Sequence, residues 1–447
     1  MTTAQISNVR CTDPTLISAL LDGEQFWPSE EWSLQDDGLG APFLEALVCK
    51  TLLVAGHLSG RNVSSRCCLP FSTIEAVLER LRGQRLVVHV GTGRLNDYVY
   101  TLTEEGRERA TAYHQECAYV GPAPVPLSEY ITSVEAQAIC DEAVRQDELL
   151  NAFMDISVSR ELLEMLGPAV NSGSGLFLYG APGNGKSTLA NRITSCFGQD
   201  IWLPYAILDD RNVIKVFDPA YHEITTEPHD LAPHDRRWIR IKRPTVVVGG
   251  EMTMENLEIT YDRATNVSEA PLQIKSNCGC LLIDDFGRQR MPPEDLLNRW
   301  IIPLETGHDF LTLGSGKKIQ VPFEQLIIFS TNLDPSELVD EAFLRRIPYR
   351  IELPDPDEHE FHCLFQLAAE HAGCAYDPDA VEHVLNTYYR LRNYPLRRCH
   401  PRDLLQQVRH YCIYNNLSFE MLSEYFDCIA DGFFTKVPTR RLSVPNR

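Results

Sequence analysis

Residues 180–187 read Gly-Ala-Pro-Gly-Asn-Gly-Lys-Ser, which fits the pattern G-x-x-x-x-G-K-[S/T] of a phosphate-binding loop. The apolar run Leu176–Tyr179 precedes the loop, and a helix-like stretch at 188–193 follows it. A strand that leads through a glycine-rich loop into a helix is the setting in which this pattern binds nucleotide phosphates. The segment therefore predicts a nucleotide-binding domain of the α/β class. The alternative is a glycine turn that happens to precede a lysine.

The residue types of this loop predict how it holds a nucleotide. Gly180, Gly183 and Gly185 let the backbone fold around the phosphates with several N–H groups pointing inward. Together with the positive end of the following helix, these amides form an anion site. Lys186 is expected to reach the β- and γ-phosphates of ATP, and the Ser187 hydroxyl is expected to bind Mg²⁺. The other predicted nucleotide-binding residues of the segment are Pro182, Asn184 and Thr188.

A second apolar run, Cys280–Ile283, ends in two carboxylates about a hundred residues further along the chain. Asp284 is expected to bind Mg²⁺, and Asp285 lies where a general base could polarise the attacking water. Two acidic residues after an apolar run can also be structural. Their distance from the phosphate-binding loop favours the catalytic interpretation.

A third apolar run at 326–329 is followed by Ser-Thr-Asn, which ends at Asn332. The carboxyl edge of a parallel sheet is where ligands of open α/β sheets bind. We therefore expect Thr331 and Asn332 to face the nucleotide, although a simply capped strand end is the alternative.

Five segments in this order resemble the motifs of the AAA+ ATPases. They are the loop at 180–187, Asp284 with Asp285, the stretch at 330–332, residues 340–346 (Asp-Glu-Ala-Phe-Leu-Arg-Arg) and residues 400–405 (His-Pro-Arg-Asp-Leu-Leu). They resemble Walker A, Walker B, sensor 1, the arginine-finger box and sensor 2. The resemblance covers about residues 131–430 and implies a P-loop core, with a parallel sheet between helices, followed by an α-helical lid.

The resemblance also implies roles for individual residues. Asn332 would position the attacking water. Arg346 would be the finger that enters the site of the neighbouring subunit, with Arg345 as the second choice, because a guanidinium stays charged and contacts several phosphate oxygens. Arg402 would touch the nucleotide of its own subunit. The alternative for Arg345 and Arg346 is a surface pair that neutralises acidic neighbours.

The chain departs from the family at Asp285, where relatives usually carry glutamate. Aspartate is one methylene shorter, so hydrolysis could be slow, and a nucleotide-gated scaffold with little hydrolysis is an alternative function. Two insertions resemble the helix-2 insert and the pre-sensor-1 hairpin, at 309–321, of MoxR-like and related ATPases. By position in these elements, Tyr261, Lys317 and Lys318 would be the pore contacts.

Residues 43–113 predict three helices, a hairpin and a final helix, an order that resembles a winged helix-turn-helix domain. Ser72 is a candidate N-cap of the third helix. If this domain binds DNA, Arg80, Arg82, Arg85 and Arg94 would meet the phosphates or bases. Glu75 and Glu79 on the same helix would repel a polyanion, so docking of a protein is favoured over DNA.

Charge and length limit the remaining possibilities. The 447 residues suggest about three domains and carry a net charge of −21, which argues against a protein coated for nucleic acid or anionic membranes. Residues 41–113 hold nine Lys and Arg against seven Asp and Glu, so this segment is not acidic, unlike most of the chain. No apolar run is long enough for a membrane helix, and the start lacks the regions of a signal peptide. The scattered cysteines are expected to be reduced, in the cytoplasm.

These observations divide the chain into an acidic segment (1–42), a winged-helix-like domain (43–113), a proline-rich linker (114–130), an α/β nucleotide-binding domain (131–355), a helical lid (356–430) and a basic tail (431–447). A finger that serves the next subunit predicts a closed homo-oligomeric ring, which we expect to be a hexamer. The expected function is an ATP-hydrolysing, chaperone-like remodelling motor that acts on an unidentified protein client. A DNA-directed ATPase, such as a loader or regulator, is the alternative from another class.

Overall fold

The computed structural model of the chain describes residues 26–29, 39–92, 97–139, 143–154, 156, 158–225 and 233–434. The α-helices of these residues, in chain order, are α1 (Ala41–Ala55), α2 (Gly60–Cys67), α3 (Phe71–Gly83), α4 (Glu104–Glu116), α5 (Leu127–Ala136), α6 (Gln146–Ala152), α7 (Arg160–Asn171), α8 (Lys186–Ile193), α9 (Leu272–Lys275), α10 (Pro293–Thr306), α11 (Pro335–Leu338), α12 (Glu341–Leu344), α13 (Glu358–Ala372), α14 (Pro378–Val384), α15 (His400–Asn415) and α16 (Ser423–Phe433).

The strands found in the described ranges belong to five sheets. In chain order they are β1 (His57–Ser59), β2 (Val87–Thr92), β3 (Tyr98–Leu102), β4 (Val125–Pro126), β5 (Leu176–Tyr179), β6 (Ile201–Pro204), β7 (Ala206–Asp209), β8 (Asn212–Lys215), β9 (Trp238–Ile241), β10 (Thr245–Val248), β11 (Thr260–Asp262), β12 (Val267–Glu269), β13 (Cys280–Ile283), β14 (His308–Thr312), β15 (Lys318–Pro322), β16 (Leu326–Thr331) and β17 (Tyr349–Glu352).

The central sheet is parallel, in the order β10-β13-β16-β5-β17. The inner strands β13, β16 and β5 are largely buried apolar runs because helices cover both faces, whereas the edge strand β17 reads Tyr-Arg-Ile-Glu. Leu176 and Leu178 of β5 face a cluster that includes α7 and α8, whereas Phe177 faces a second cluster with Trp300 of α10. The predicted fold class, an α/β P-loop core with a parallel sheet between helices, is confirmed.

The strand order brings the predicted motifs together. Strand β5 leads into the phosphate-binding loop and lies between β16 and β17, and β16 separates it from β13. Because all five strands run in the same direction, the chain segments that follow β5, β13 and β16 emerge at one edge of the sheet.

The N-terminal unit contains α1 to α4 and an antiparallel sheet in the order β1-β3-β2. Its core is built by apolar residues of α1 and α3, such as Leu47, Leu78 and Leu81. The predicted N-cap at Ser72 is wrong: α3 begins at Phe71, after Pro70, and Ser72 lies in its first turn. The fixed φ of Pro70 starts the helix before the serine is reached.

The proline-rich stretch and the long insertion after α8 form a second sheet, in the order β11-β12-β8-β7-β4. Val125 of the proline-rich stretch is buried and pairs in parallel with Ile207. The core of the N-terminal unit continues onto this sheet, where it includes Leu208 and Val213. The segment at 309–321 forms part of the antiparallel hairpin β14–β15, as the sequence predicts.

The C-terminal helices α13 to α16, together with a π-helical stretch at Leu385–Arg390, pack around their own apolar core. Asp357 accepts a hydrogen bond from the Glu360 amide and so caps α13, and Gly373 ends this helix with a φ of +72°. None of the helices in the described part of the chain has the length and apolar composition needed to cross a membrane. Most of the acidic segment at 1–42 and of the basic tail at 431–447 lies outside the described residues.

Candidate nucleotide-binding site

The phosphate-binding loop approaches its neighbours so closely that two of its glycines have no room for a side chain. A Cβ at Gly180 would lie 2.4 Å from the Leu353 carbonyl oxygen, and one at Gly183 would lie 2.5 Å from Cys399 Sγ. Gly183 and Gly185 also have positive φ angles of +84° and +87°, a conformation that glycine adopts at little cost. The loop is therefore fixed between the end of the sheet and the C-terminal helices.

Lys186 is buried at the start of α8, where its ammonium group donates three hydrogen bonds. Two go to the carbonyl oxygens of Gly180 and Ala181, each at 3.0 Å, and one goes to the Asn332 amide oxygen at 2.7 Å. Burial lowers the pKa of Lys186, and the negative charges of Asp284 and Asp285 partly oppose this shift. The two carboxylates thus help to keep the lysine charged in a buried position.

Asp284 lies directly after β13 and accepts three hydrogen bonds. The Ser187 hydroxyl donates to Oδ2 at 2.7 Å, while the Ser330 hydroxyl and the Asp285 amide donate to Oδ1 at 2.7 and 3.0 Å. A carboxylate next to a hydroxyl is an oxygen donor set that suits Mg²⁺. The two residues predicted as metal ligands therefore lie together and fit the ion.

Asp285 adopts a left-handed backbone conformation with φ +50°. Aspartate and asparagine occupy this region more readily than other residues with a side chain. One of its carboxylate oxygens accepts a hydrogen bond of 3.1 Å from the Asn332 amide nitrogen. The backbone conformation gives a physical reason for aspartate at a position where the resemblance described above implies glutamate.

Asn184 connects the loop to the C-terminal helices. It is buried, and its amide nitrogen donates to Asp355 at 2.8 Å while its amide oxygen accepts from the Arg398 backbone N–H at 3.3 Å. A second contact joins the Cys399 amide to the Gly183 carbonyl oxygen at 2.9 Å. The loop and the helical unit are thus hydrogen-bonded to each other directly.

The predicted arginines fall into two groups. Arg402 lines the site, but its side chain is 76% exposed and bonds to the neighbouring Asp403. Arg345 is exposed, and the Arg346 guanidinium donates to Glu305 of α10 at 2.7 Å. Neither Arg345 nor Arg346 is among the residues that line the cavity of their own chain.

A cavity of about 510 Å³ joins these residues, which is within the range of small-molecule sites. The predicted residues that line it are Pro182, Gly183, Asn184, Gly185, Lys186, Ser187, Thr188, Asp284, Asp285, Asn332 and Arg402. Gly180 does not line it directly, but its carbonyl oxygen holds Lys186.

Sequence reasoning missed two parts of this cavity. One is an apolar wall, which is formed by Ile156, Val158 and Leu162 together with Leu364 and Leu367 of α13. Such a wall suits the flat, apolar faces of a nucleotide base. The sequence predicted a helical lid at 356–430 but gave no sign that residues of either segment face a ligand.

The other missed part is Arg398, whose partly buried side chain pairs with Glu360 at 3.1 Å and lines the cavity. The consecutive Arg397 and Arg398 just before α15 could have indicated a cationic contact to the nucleotide. The resemblance pointed to Arg402 instead, because that residue fits the sensor 2 pattern.

The predicted pore residues lie at the insertion sheet and the β14–β15 hairpin. The Tyr261 ring contacts the hairpin turn, because a Cβ at Gly314 would lie 3.1 Å from it. Lys317 donates to Asp209 and Asp210 at 2.7 and 2.9 Å, and Lys318 is exposed. The insertion and the hairpin are thus in contact, and Lys317 already has two acidic partners.

Comparison with known proteins gives only partial matches. Residues 357–428 match a family described as a domain of unknown function (DUF8689). No curated protein matches the chain. The similar solved structures include NtrX from Brucella abortus, with 15% identity over 60% of this chain and a TM-score of 0.40. The chain covers 54% of that NtrX chain, about half of its length.

Two further structures have similar values. The RuvB Holliday junction branch migration motor of Thermotoga maritima shares 16% identity over 65% of this chain and 70% of its own, with a TM-score of 0.35. The complex between subunits BchI and BchD of magnesium chelatase contains a chain with 18% identity over 62% of this chain and 93% of its own, with a TM-score of 0.33.

Proposed function

We propose that this chain is an AAA+ ATPase that binds and hydrolyses ATP, and that it works as a ring-forming remodelling motor on a protein partner. The observation that supports this most strongly is a continuous hydrogen-bond network at the carboxyl edge of the sheet. It connects Ser187 to Asp284, Asp284 to the amide of Asp285, Asp285 to Asn332 and Asn332 to Lys186. Each member is of the type that the reaction requires.

In this proposal, the loop amides and Lys186 hold the triphosphate, and the apolar wall holds the adenine. Ser187 and Asp284 would hold Mg²⁺, which would neutralise the developing charge on the phosphates when bound. Asp285 and Asn332 would orient the attacking water, and the Asp285 carboxylate would accept its proton. For these residues to act, Lys186 must exchange its bonds to the loop carbonyls for bonds to phosphate oxygens.

The arginines support assembly through the nucleotide. Because Arg345 and Arg346 lie away from their own cavity, we propose that Arg346 reaches the ATP of the neighbouring subunit, where its guanidinium would stabilise the transferred phosphoryl group. A head-to-tail contact of this kind closes into a ring if its rotation allows, and we propose a hexamer. Arg402 would contact the nucleotide of its own subunit, after it leaves Asp403.

The N-terminal unit is proposed to have winged-helix character and to dock a protein. Two acidic residues on α3, Glu75 and Glu79, are exposed, and Arg80 of the same helix pairs with Glu45. These features weaken attraction to a polyanion. Arg82 and Arg85 are exposed and could contact phosphates if the unit binds DNA instead. Salt-sensitive binding of duplex DNA would support this alternative. Arg94 lies outside the described residues.

Equilibrium binding of a fluorescent ATP analogue tests the central claim. Lys186→Ala should lower the affinity by roughly 100-fold or more, because a buried cation that contacts phosphate directly is removed. Lys242→Ala, at an exposed lysine that pairs with Glu223, is the matched control and should bind like the unaltered protein. Unchanged affinity of the Lys186 variant would contradict nucleotide binding at this site. Binding without phosphate release, with or without partners, would favour the nucleotide-gated scaffold.

A further inference from the structure

Ser330 has no role in the network described so far, although it touches one of its central members. It is the penultimate residue of β16 and is fully buried. The register pairs Ile283 with Phe329 in parallel, so the next positions along the two strands are Asp284 and Ser330. The sheet itself therefore brings these two side chains together.

The two oxygens of Asp284 have different partners. Oδ2 accepts a hydrogen bond from Ser187, the residue whose hydroxyl is the proposed Mg²⁺ ligand. Oδ1 accepts from the Ser330 hydroxyl, which lies behind the cavity, and from the Asp285 amide. One oxygen thus faces the metal position, and the other is held by the protein.

This division matters because rotation about χ2 of an aspartate is soft, and its two oxygens exchange easily. A backbone amide alone fixes one direction. The Ser330 hydroxyl adds a second donor from the neighbouring strand, and the Ser330 carbonyl oxygen accepts a bond of 2.7 Å from Phe286, which holds the turn after Asp285. Since Ser330 is fully buried, water has no direct access to replace a lost hydroxyl.

We infer that Ser330 is a positioning residue for the magnesium site, which aims Oδ2 of Asp284 at the ion by holding Oδ1. This inference rests on the proposed function of the same site. It assigns Ser330 an effect on the metal without any contact between the two. Groups that orient a metal ligand in this way commonly change metal affinity about 10- to 100-fold when they are removed.

The test measures Mg²⁺ and nucleotide separately. ATP binding is followed by fluorescence in EDTA and then during a titration with MgCl₂, and phosphate release is measured over the same range of MgCl₂. In Ser330→Ala, the MgCl₂ concentration that gives half of the maximal change in ATP binding and half of the maximal phosphate release should rise at least about tenfold. ATP binding in EDTA should stay within about twofold, because Lys186 and the loop amides do not depend on Ser330. Saturating MgCl₂ should restore most of the hydrolysis rate.

Ser276→Ala is the matched control. Ser276 is also fully buried, and its hydroxyl donates to the Leu272 carbonyl oxygen at 2.9 Å, outside the cavity. Both variants thus lose a buried hydroxyl, but in Ser276→Ala the half-maximal MgCl₂ concentration should stay that of the unaltered protein. A half-maximal MgCl₂ concentration in Ser330→Ala that stays within twofold of the unaltered protein would overturn the inference.

Ser330→Thr and Ser330→Val keep the inference testable if the alanine variant does not fold. These two side chains have nearly the same shape, and only threonine keeps a hydroxyl. The half-maximal MgCl₂ concentration should be at least about tenfold lower for Ser330→Thr than for Ser330→Val. Equal concentrations for the two variants would overturn the inference. If the unaltered protein shows no Mg²⁺-dependent nucleotide binding, the proposed function fails together with the inference. If the unaltered protein binds nucleotide in a Mg²⁺-dependent way and the Ser330 variants titrate with MgCl₂ as it does, the inference fails but the proposed function stands.

Discussion

The amide nitrogen of Asn332 lies 3.1 Å from a carboxylate oxygen of Asp285. The amide oxygen of the same side chain accepts a hydrogen bond of 2.7 Å from Lys186. One neutral side chain thus connects the buried cation with the proposed general base. An amide is suited to this position because it offers a donor to the carboxylate and an acceptor to the ammonium group at the same time.

Asn332→Ala should lower ATP hydrolysis about 100-fold, because the water and the base lose their common hydrogen-bond partner. ATP affinity should fall by less than about tenfold, since Lys186 and the loop remain. Steady-state phosphate release and equilibrium ATP binding are the two measurements. Hydrolysis at the normal rate would contradict the role of Asn332.

Asp285→Asn should retain ATP binding and lose hydrolysis by about 100-fold or more, because the side chain keeps its shape but no longer accepts a proton. Asparagine also tolerates the left-handed backbone at this position. Asp285→Glu is the informative comparison. We expect it to cost about 1 kcal/mol of stability through backbone strain, as measured by urea unfolding. A glutamate variant of normal stability would show that the backbone does not select aspartate.

Two inactive variants should complement each other if Arg346 acts between subunits. Lys186→Ala provides a finger but binds no ATP, whereas Arg346→Ala binds ATP and provides no finger. Each alone should hydrolyse ATP roughly 10³-fold more slowly than the unaltered protein. Mixing them should give activity well above the sum of the two.

The control for this mixture is the double variant Lys186→Ala/Arg346→Ala, which should not rescue Arg346→Ala. If Arg345→Ala behaves as we expect of Arg346→Ala, the finger is the neighbouring residue. Absence of any gain on mixing, in a protein that forms a ring, would argue against a finger that acts between subunits.

Asn184→Ala should weaken the connection between the phosphate-binding loop and the C-terminal helices. The buried bonds to Asp355 and to the Arg398 amide are lost, at a cost of about 1–3 kcal/mol. Urea unfolding and ATP binding should both be affected. Asn277→Ala is the control, because Asn277 is also buried and bonds to Tyr130 and Pro322 outside the cavity. It should lower stability but leave ATP affinity unchanged.

His400, at the start of α15, should make stability depend on pH. Burial lowers the pKa of His400 to about 4, and the positive charge of Arg397 adds to this effect while Asp403 and Asp355 oppose it. Its ring nitrogen is within hydrogen-bond distance of the Tyr389 hydroxyl at 2.9 Å. The folded protein therefore keeps this imidazole neutral where the unfolded chain, with a pKa near 6.5, protonates it.

The contribution of the neutral His400 to the free energy of unfolding is complete above about pH 6.5. It is lost progressively as the pH falls towards 4, because the unfolded state then binds the extra proton. Urea unfolding of the protein and of His400→Gln at several pH values isolates this effect. The difference in unfolding free energy should shift in favour of the variant between pH 6.5 and 4 and level off below. A difference that is independent of pH would contradict the shifted pKa.

The sequence predicted the central sheet and most of the phosphate site because these features depend on local patterns. Leu176–Tyr179 and Cys280–Ile283 are apolar runs that end in polar residues, and parallel strands bring such ends to one edge. The glycine spacing and Lys186 carry their chemistry in a single loop. Residue type and strand direction were sufficient for these assignments.

Contacts between distant segments could not be predicted in the same way. The apolar wall combines Val158 with Leu364, which are separated by about two hundred residues, and the local sequence around either residue does not indicate a ligand. The bond between Ser330 and Asp284 depends on the register of two strands. A choice between Arg398 and Arg402 needs the path of the chain before α15, because both positions are cationic and close to the same helix.

The proline-rich stretch was expected to be a linker, yet Val125 adds to the sheet that carries the insertion, and the Ala123 amide donates to the Cys67 carbonyl oxygen at 2.7 Å. A hinge at this point would have to break a strand pair and uncover apolar residues. A strand pair, a backbone hydrogen bond and a shared apolar core therefore join the N-terminal unit to the insertion sheet. We therefore expect the N-terminal unit and the insertion sheet to move together.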